Sequence, residues 1–216
     1  MVHSVLITVL SSFKALLKGR PQRAFLWIFV SIVILVNVAG QHGNVTFMFY
    51  QLTYKMDLDT WGRLISASSL SASVSQLLIV PALSLKLRLR DTTIMILAFV
   101  TNFVAYLVEA VNDQVWVLYL SYTVLQLFWS NLYSLSFSAI SKLVEPMEIG
   151  KVFGVLTLTK ALITLVFKPI YLYIYQATLA TLPALIYVFP LLCFTACFGL
   201  VLVPHLRMPR REVSKN

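Results

Sequence analysis

The sequence predicts an all-α, polytopic membrane protein built as a bundle of six transmembrane helices. The chain is 59% hydrophobic and only 12% charged, with a mean hydropathy of +0.85, whereas soluble domains contain about 45–50% apolar residues. Its apolar residues gather into runs of about 20, the length that a helix needs to cross a bilayer. None of these runs alternates apolar and polar residues with a period of two, so helices are predicted rather than strands.

Six apolar runs are long enough to be transmembrane spans. They cover residues 24–50, 62–85, 92–111, 115–144, 150–175 and 184–204. The fourth run is too long for one straight crossing and is expected to extend into the cytoplasm. Gly40 and Gly43 predict a break in the first run, because glycine lets a membrane helix unwind. The sequence thus predicts one transmembrane domain, 24–204, between a basic segment, 1–23, and a basic tail, 205–216.

The segment 1–23 is not expected to be a cleaved signal peptide. Its apolar run, 5–10, is shorter than the core of a signal peptide, and no basic residue precedes it. The first span is therefore expected to direct insertion. The segment fits either a short basic amphipathic stretch on the cytoplasmic leaflet or a solvated linker.

The basic residues predict that both termini face the cytoplasm. Thirteen of the 17 Lys and Arg residues fall in the loops and tails of one side, and two, Lys55 and Arg63, fall on the other. Asp57, Asp59, Glu109 and Asp113 lie beside these two residues on the outer side. By the positive-inside rule, the side rich in Lys and Arg is cytoplasmic. The net charge of +9 therefore reflects topology, and the predicted partner is the lipid bilayer rather than a nucleic acid.

Sequence motifs of enzymes and cofactor sites are absent. There is no Gly-rich phosphate loop, no Gly-x-Ser-x-Gly elbow and no His-Glu-x-x-His helix. Cys193 and Cys197 lie one helical turn apart in the last span, but that span has no His, Asp or Glu to complete a metal site. We therefore interpret both cysteines as packing residues and expect no enzymatic activity, no cofactor and no metal.

Polar side chains inside the first five spans are the candidate substrate-binding residues. They are Asn37, Gln76, Asn102, Gln126, Lys160 and Lys168, with Thr164 between the two lysines. A single amide in a span commonly makes an interhelical hydrogen bond, but the recurrence of such residues in five spans indicates a shared polar cavity. Serines at three- and four-residue spacing, such as Ser66, Ser69 and Ser73, are instead interpreted as packing seams.

The two lysines of the fifth span differ in predicted depth. Lys160 lies nine residues beyond Lys151, which places it roughly 13 Å into the membrane, near the midplane of a core about 30 Å thick. Lys168 lies roughly 12 Å further, rotated by about 80°, where its stem can also reach the headgroups. Lys160 is expected to face a watery cavity, an acidic partner or an anionic solute.

One stretch of the sequence resembles a known family. Residues 141–179, SKLVEPMEIGKVFGVLTLTKALITLVFKPIYLYIYQATL, together with FWSNLYSL just before them, resemble the carboxy-terminal half of the proton-coupled folate transporter family. These are major facilitator proteins, and the group also includes the thymic stromal cotransporter. The resemblance implies one half of a major facilitator fold and a secondary carrier of a small organic solute, coupled to protons or facilitated, that works by alternating access.

The sequence departs from that family at the expected solute site. Relatives usually carry an acidic or amide residue where this chain has Lys160, so a fixed cation replaces a proton carrier. The arginine of the folate-transporting members is replaced by Phe137, and His42 matches their histidine only after a shift of register. The resemblance therefore implies a carrier, with an organic anion as a candidate solute, but not folate itself.

Major facilitator carriers have two six-helix halves with the substrate between them, and this chain supplies one. Segment 1–23 looks like the end of the linker that joins the halves, so we interpret the chain as a partial carrier of the plasma or endolysosomal membrane. A missing amino-terminal half or another copy would complete it. Two alternatives remain: a non-transporting half that regulates another carrier, and an oligomeric channel lined by Asn102, Gln126 and Lys160.

Overall fold

Helices joined by short turns form the described part of the chain. The computed structural model describes residues 12, 16, 18–19, 22–112 and 114–207. In chain order its α-helices are α1 (Arg23–Gly40), α2 (Gly43–Tyr54), α3 (Leu58–Val74), α4 (Asp91–Val111), α5 (Val115–Ser141), α6 (Ile149–Thr178) and α7 (Val188–Arg207). Two π-helical segments, Ser75–Ile79 and Ala82–Lys86, continue α3, and the 3₁₀ helices Pro146–Glu148 and Pro183–Tyr187 precede α6 and α7. No strand occurs among these residues, so the prediction of an all-α fold is confirmed there.

The integral membrane character predicted from the sequence is confirmed. Among the described residues, five segments are long and apolar enough to cross a bilayer: Arg23–Tyr54, Leu58–Lys86, Asp91–Val111, Pro146–Thr178 and Ala184–Arg207. Each one overlaps a predicted span. The remaining predicted span corresponds to α5, a 27-residue helix whose hydroxyl and amide side chains lower its hydropathy. A sixth crossing therefore stays a prediction.

The helices pack around α1, α4, α5 and α7, and α3 and α6 lie at the edges. Helix α4 packs against α5 and α7, and α1 packs against α7, α5 and α6. Helix α3 packs mainly against α5, and α6 reaches only α1, α2 and the neighbouring 3₁₀ helices through extensive contacts. The two edge helices expose most of their surface, including large apolar side chains such as Leu77 and Leu165. Apolar exposure of this extent fits contact with lipid or with another protein.

The predicted break in the first span is confirmed. Helix α1 ends at Gly40 and α2 begins at Gly43. At the break the Gln41 side chain donates from Nε2 to the carbonyl oxygen of Asn37 at 3.1 Å, and Asn44 donates from Nδ2 to the carbonyl oxygen of Gln41 at 2.7 Å. Polar side chains thus satisfy backbone groups at the break, as irregular backbone at membrane depth requires.

Gly40 permits a close contact between α1 and α5. A Cβ atom at this position would lie 2.8 Å from Cζ2 of Trp129, whose ring also packs edge-on against Phe194 at 5.6 Å. We expect Gly40→Ala to destabilise the protein by about 1–3 kcal/mol, the usual cost of overpacking. Gly43→Ala is the matched control, because a Cβ atom there meets nothing within 4 Å. Thermal unfolding in one detergent gives the melting temperature of each variant. Equal melting temperatures for Gly40→Ala and Gly43→Ala would contradict the contact.

The turn between α2 and α3 lies on the predicted outer side. Lys55 adopts a left-handed conformation with φ of 50°, and Asp57 caps α3 by accepting a hydrogen bond on Oδ1 from the Thr60 backbone N–H at 3.1 Å. Hydrogen bonds from Thr60 lower the pKa of Asp57. The capping contribution is therefore present above the ordinary aspartate pKa and is lost as the pH falls through the lowered value.

Ion pairs join segments at the opposite end of the bundle. Lys18 Nζ lies 3.0 Å from Glu145 and 3.1 Å from Glu148, in the connection between α5 and α6. The hydrogen bond to Glu145 raises the pKa of Lys18. Lys142 at the end of α5 pairs with Asp91 at the start of α4. Exposed pairs of this kind contribute little to stability, so they fix how the segments are positioned more than they hold the bundle together.

Candidate functional site

Polar groups from the α1–α2 break, α5 and α6 meet around Lys160. Lys160 is exposed on α6, and its Nζ lies 4.8 Å from the ring centre of Tyr133 on α5, within the range of a cation–π interaction. One turn further along α6, Thr164 Oγ1 donates to the Lys160 carbonyl oxygen at 3.1 Å and accepts from Gln41 Nε2 at 3.3 Å. We call Lys160, Thr164, Gln41 and Tyr133 the Lys160 site.

The cation of the Lys160 site has no acidic partner in the described part of the chain. The lysines that form ion pairs there are Lys18 and Lys142, at the end of the bundle. Lys160 is the twelfth of the 30 residues of α6, so its backbone lies near the middle of the Pro146–Thr178 span. An ammonium group at that depth, balanced only by an aromatic ring and dipoles, is suited to attract an anion.

The side chains of Asn37, Gln76, Asn102 and Lys168 make no hydrogen bond to the residues of the Lys160 site. Asn37 and Asn102 are buried, and each donates from Nδ2 to a carbonyl oxygen of its own helix, Val33 at 2.7 Å and Ala98 at 2.6 Å. Gln76 is exposed on a π-helical segment that continues α3. Lys168 is exposed and makes no hydrogen bond or ion pair with another described residue. The side chain of Gln126 lies outside the described residues.

The serine seam of α3 lies on a different face from the one interpreted from spacing. Ser66, Ser69 and Ser73 are exposed, so their interpretation as a seam within this chain is wrong. Contact with α5 is made instead by Ser71, whose Oγ donates to the Thr123 carbonyl oxygen at 3.0 Å, and by buried Ser75, which accepts from Asn131 Nδ2 at 2.7 Å. Serines occur on several faces of α3, so spacing alone does not select the packed one.

Sequence reasoning missed a buried carboxyl group. The sequence groups Glu109 with the acidic residues of the outer side, but Glu109 is buried, 1% exposed, and its Oε2 accepts a hydrogen bond from the Tyr50 hydroxyl at 3.1 Å. Tyr106, Tyr187 and His42 surround this pair, with the His42 ring 4.9 Å from that of Tyr106 and 6.0 Å from that of Tyr187. We call these five residues the Glu109 cluster. The helical phase of α4 contained a signal, because Asn102, Tyr106 and Glu109 follow one another at helical spacing on its buried face.

The side chains of the Lys160 site define which ligand it can bind. The Lys160 site offers a cation, a hydroxyl, an amide and an aromatic face, which together suit a small anion. Among the described residues, no group of three or more His, Cys, Asp or Glu side chains gathers as a metal site.

Comparison with protein-family models gives no match, and comparison with curated proteins gives none either. The functional conclusion therefore rests on the residues of these sites.

Proposed function

We propose that this chain forms one six-helix half of a secondary transporter for a small organic anion. The single observation that carries the proposal is Lys160, a cation near the middle of a span that faces out of the bundle without a carboxylate partner among the described residues. Charged side chains inside a span commonly mark a substrate or ion pathway. The adjoining hydroxyl of Thr164 and amide of Gln41 add hydrogen-bonding groups for the same solute.

The architecture supports alternating access against a second six-helix unit. Transporters of this kind bind solute near the bilayer midplane between two halves, commonly beside an interrupted helix. Here the break between α1 and α2 contributes Gln41 to the Lys160 site. The exposed surfaces of α3 and α6 leave room for a second unit, either another copy or another half. Helix α5 would supply the sixth crossing.

The sequence resemblance of residues 141–179 supports the same proposal. Part of that stretch is α6, which carries Lys160 and Thr164. The resemblance also favours a major facilitator arrangement, protons as the coupling ion, and a plasma or endolysosomal membrane. The distribution of Lys and Arg favours cytoplasmic termini. Lys160, which replaces the family's usual acidic or amide residue, favours an anion as the solute.

Liposomes containing the purified chain test the proposal. We expect saturable binding of small organic anions by the reconstituted protein but no saturable uptake, because alternating access requires a second six-helix wall around the solute. Binding is measured by equilibrium dialysis, and uptake is measured by filtration of the same preparation. Saturable uptake by the chain alone would overturn the half-transporter proposal, and the absence of any anion binding would overturn the anion site.

A further inference from the structure

Glu109 lies where an ionised carboxylate is poorly accommodated. It is the third residue from the end of α4, and its side chain points into the bundle, 1% exposed. None of the described ion pairs includes it. Burial of an uncompensated charge in a span is strongly unfavourable. The site must therefore either compensate the charge with hydrogen bonds or hold the carboxyl group as the neutral acid.

The hydrogen bonds of the Glu109 cluster suit the neutral acid. Tyr50 donates to Oε2 at 3.1 Å, and the Tyr187 hydroxyl interacts with the same carboxyl group, but Oε1 lacks a hydrogen bond of normal geometry, as does the buried hydroxyl group of Tyr106. An ionised carboxylate can only accept hydrogen bonds, so an Oε1 atom without a donor leaves much of its capacity unused. A protonated Oε1 becomes a donor, and the phenolic oxygens around it are acceptors.

The groups that face Glu109 carry no fixed positive charge. Tyr50 comes from α2, Tyr106 from α4 itself and Tyr187 from the 3₁₀ helix Pro183–Tyr187, while Tyr122 of α5 packs against the Tyr50 ring. Helix α7 contributes the apolar ring of Phe194, stacked on Tyr106 at 5.5 Å. Beyond them, the Tyr54 hydroxyl donates to the carbonyl oxygen of Asn112, just after α4.

The imidazole of His42 completes the cluster from the α1–α2 break. Its Nδ1 lies 2.7 Å from the carbonyl oxygen of Ala39. A carbonyl oxygen only accepts, so Nδ1 carries a proton. This hydrogen bond ties the ring to the backbone of the break, and the ring meets Tyr106 edge-on. His42 thus connects the Glu109 cluster to the break without pairing with the carboxyl group.

We propose that Glu109 is a proton-binding site whose protonated form holds the outer ends of α2, α4 and the 3₁₀ helix Pro183–Tyr187 together. A proton from water adds to Oε1, and the resulting O–H donates to a neighbouring phenolic oxygen. Loss of that proton leaves a buried anion, which draws in water and loosens the three segments. A proton fits better than a metal ion, because Glu109 is the one carboxylate in the cluster and no metal-binding group of three forms among the described residues. This inference is independent of the transport proposal.

Infrared difference spectroscopy of the full chain in lipid, titrated with pH, tests the proposal. We expect the C=O stretching band of one protonated carboxylic acid to persist at neutral pH in the wild type and to be lost in Glu109→Gln. Asp59→Asn, which removes an exposed carboxylate at the same end that pairs with Arg63, should leave the band unchanged. An identical band in the wild type and Glu109→Gln would overturn the proton site.

Two further measurements keep the proposal falsifiable if Glu109→Gln folds poorly. Tyr50→Phe should retain the band and move it to higher frequency, because the C=O group loses its hydrogen-bond donor; an unmoved band would contradict the assignment. Hydrogen–deuterium exchange, expressed relative to the intrinsic rate at each pH, should rise in residues 50–54 and 184–187 at the pH where the wild-type band disappears. Exchange unchanged across that transition would overturn the role of the proton in holding the outer ends together.

Discussion

Lys160→Met is expected to weaken the binding of an anionic solute by about 10- to 100-fold, while binding of a neutral analogue changes little. A hydrogen bond to a charged group contributes about 1.5–3 kcal/mol, and each 1.4 kcal/mol corresponds to a factor of ten. Methionine keeps an unbranched apolar side chain of nearly the same length as that of lysine and removes the charge. Equilibrium dialysis of the two solutes against the purified chain measures both affinities.

Lys168→Met provides the matched control for this prediction. It makes the same chemical change two turns along the same helix, at a lysine that contacts neither the ring of Tyr133 nor Gln41. Its effect on anion binding should be small. Lys160→Arg, which keeps the charge, should retain most of the affinity. Equal losses for the anion and the neutral analogue in Lys160→Met would indicate a structural role and remove Lys160 from the site.

The spans could be predicted from the sequence because their signal is local. Runs of apolar residues fix where a helix can cross a bilayer, and the five described segments that are long and apolar enough to do so overlap predicted spans. The break at Gly40 and Gly43 follows from two glycines in an otherwise apolar run. The exposure of Lys160 also follows from local chemistry, because an ammonium group near the midplane avoids an apolar core.

The direction of individual side chains could not be predicted, because it depends on which faces the neighbouring helices cover. Glu109 lies near a span end, which suggests the outer side, but Tyr50 of α2 and Tyr187 of the 3₁₀ helix Pro183–Tyr187 pack against it and bury it. Asn102 is polar, as a residue that lines a cavity would be, yet its amide donates to the Ala98 carbonyl oxygen one turn back. Short polar side chains can always make this local bond, and the sequence does not say when they do.

Both termini are expected to face the cytoplasm, and this prediction depends on the crossing of α5. Five spans meet the length and hydropathy requirements in the described part of the chain, and an odd number of crossings would put the termini on opposite sides. With α5 as the sixth crossing, the number is even. Thirteen of the 17 Lys and Arg residues then lie on the side of the termini, in agreement with the positive-inside rule.

Protease protection of terminal tags in intact cells tests the six-helix half most directly. Tags at Met1 and Asn216 are attached in separate proteins and exposed to external protease before and after the membrane is permeabilised. We expect both tags to be protected in intact cells and both to be digested after permeabilisation. Digestion of one tag in intact cells, with the other protected, would show an odd number of crossings and contradict the six-helix half.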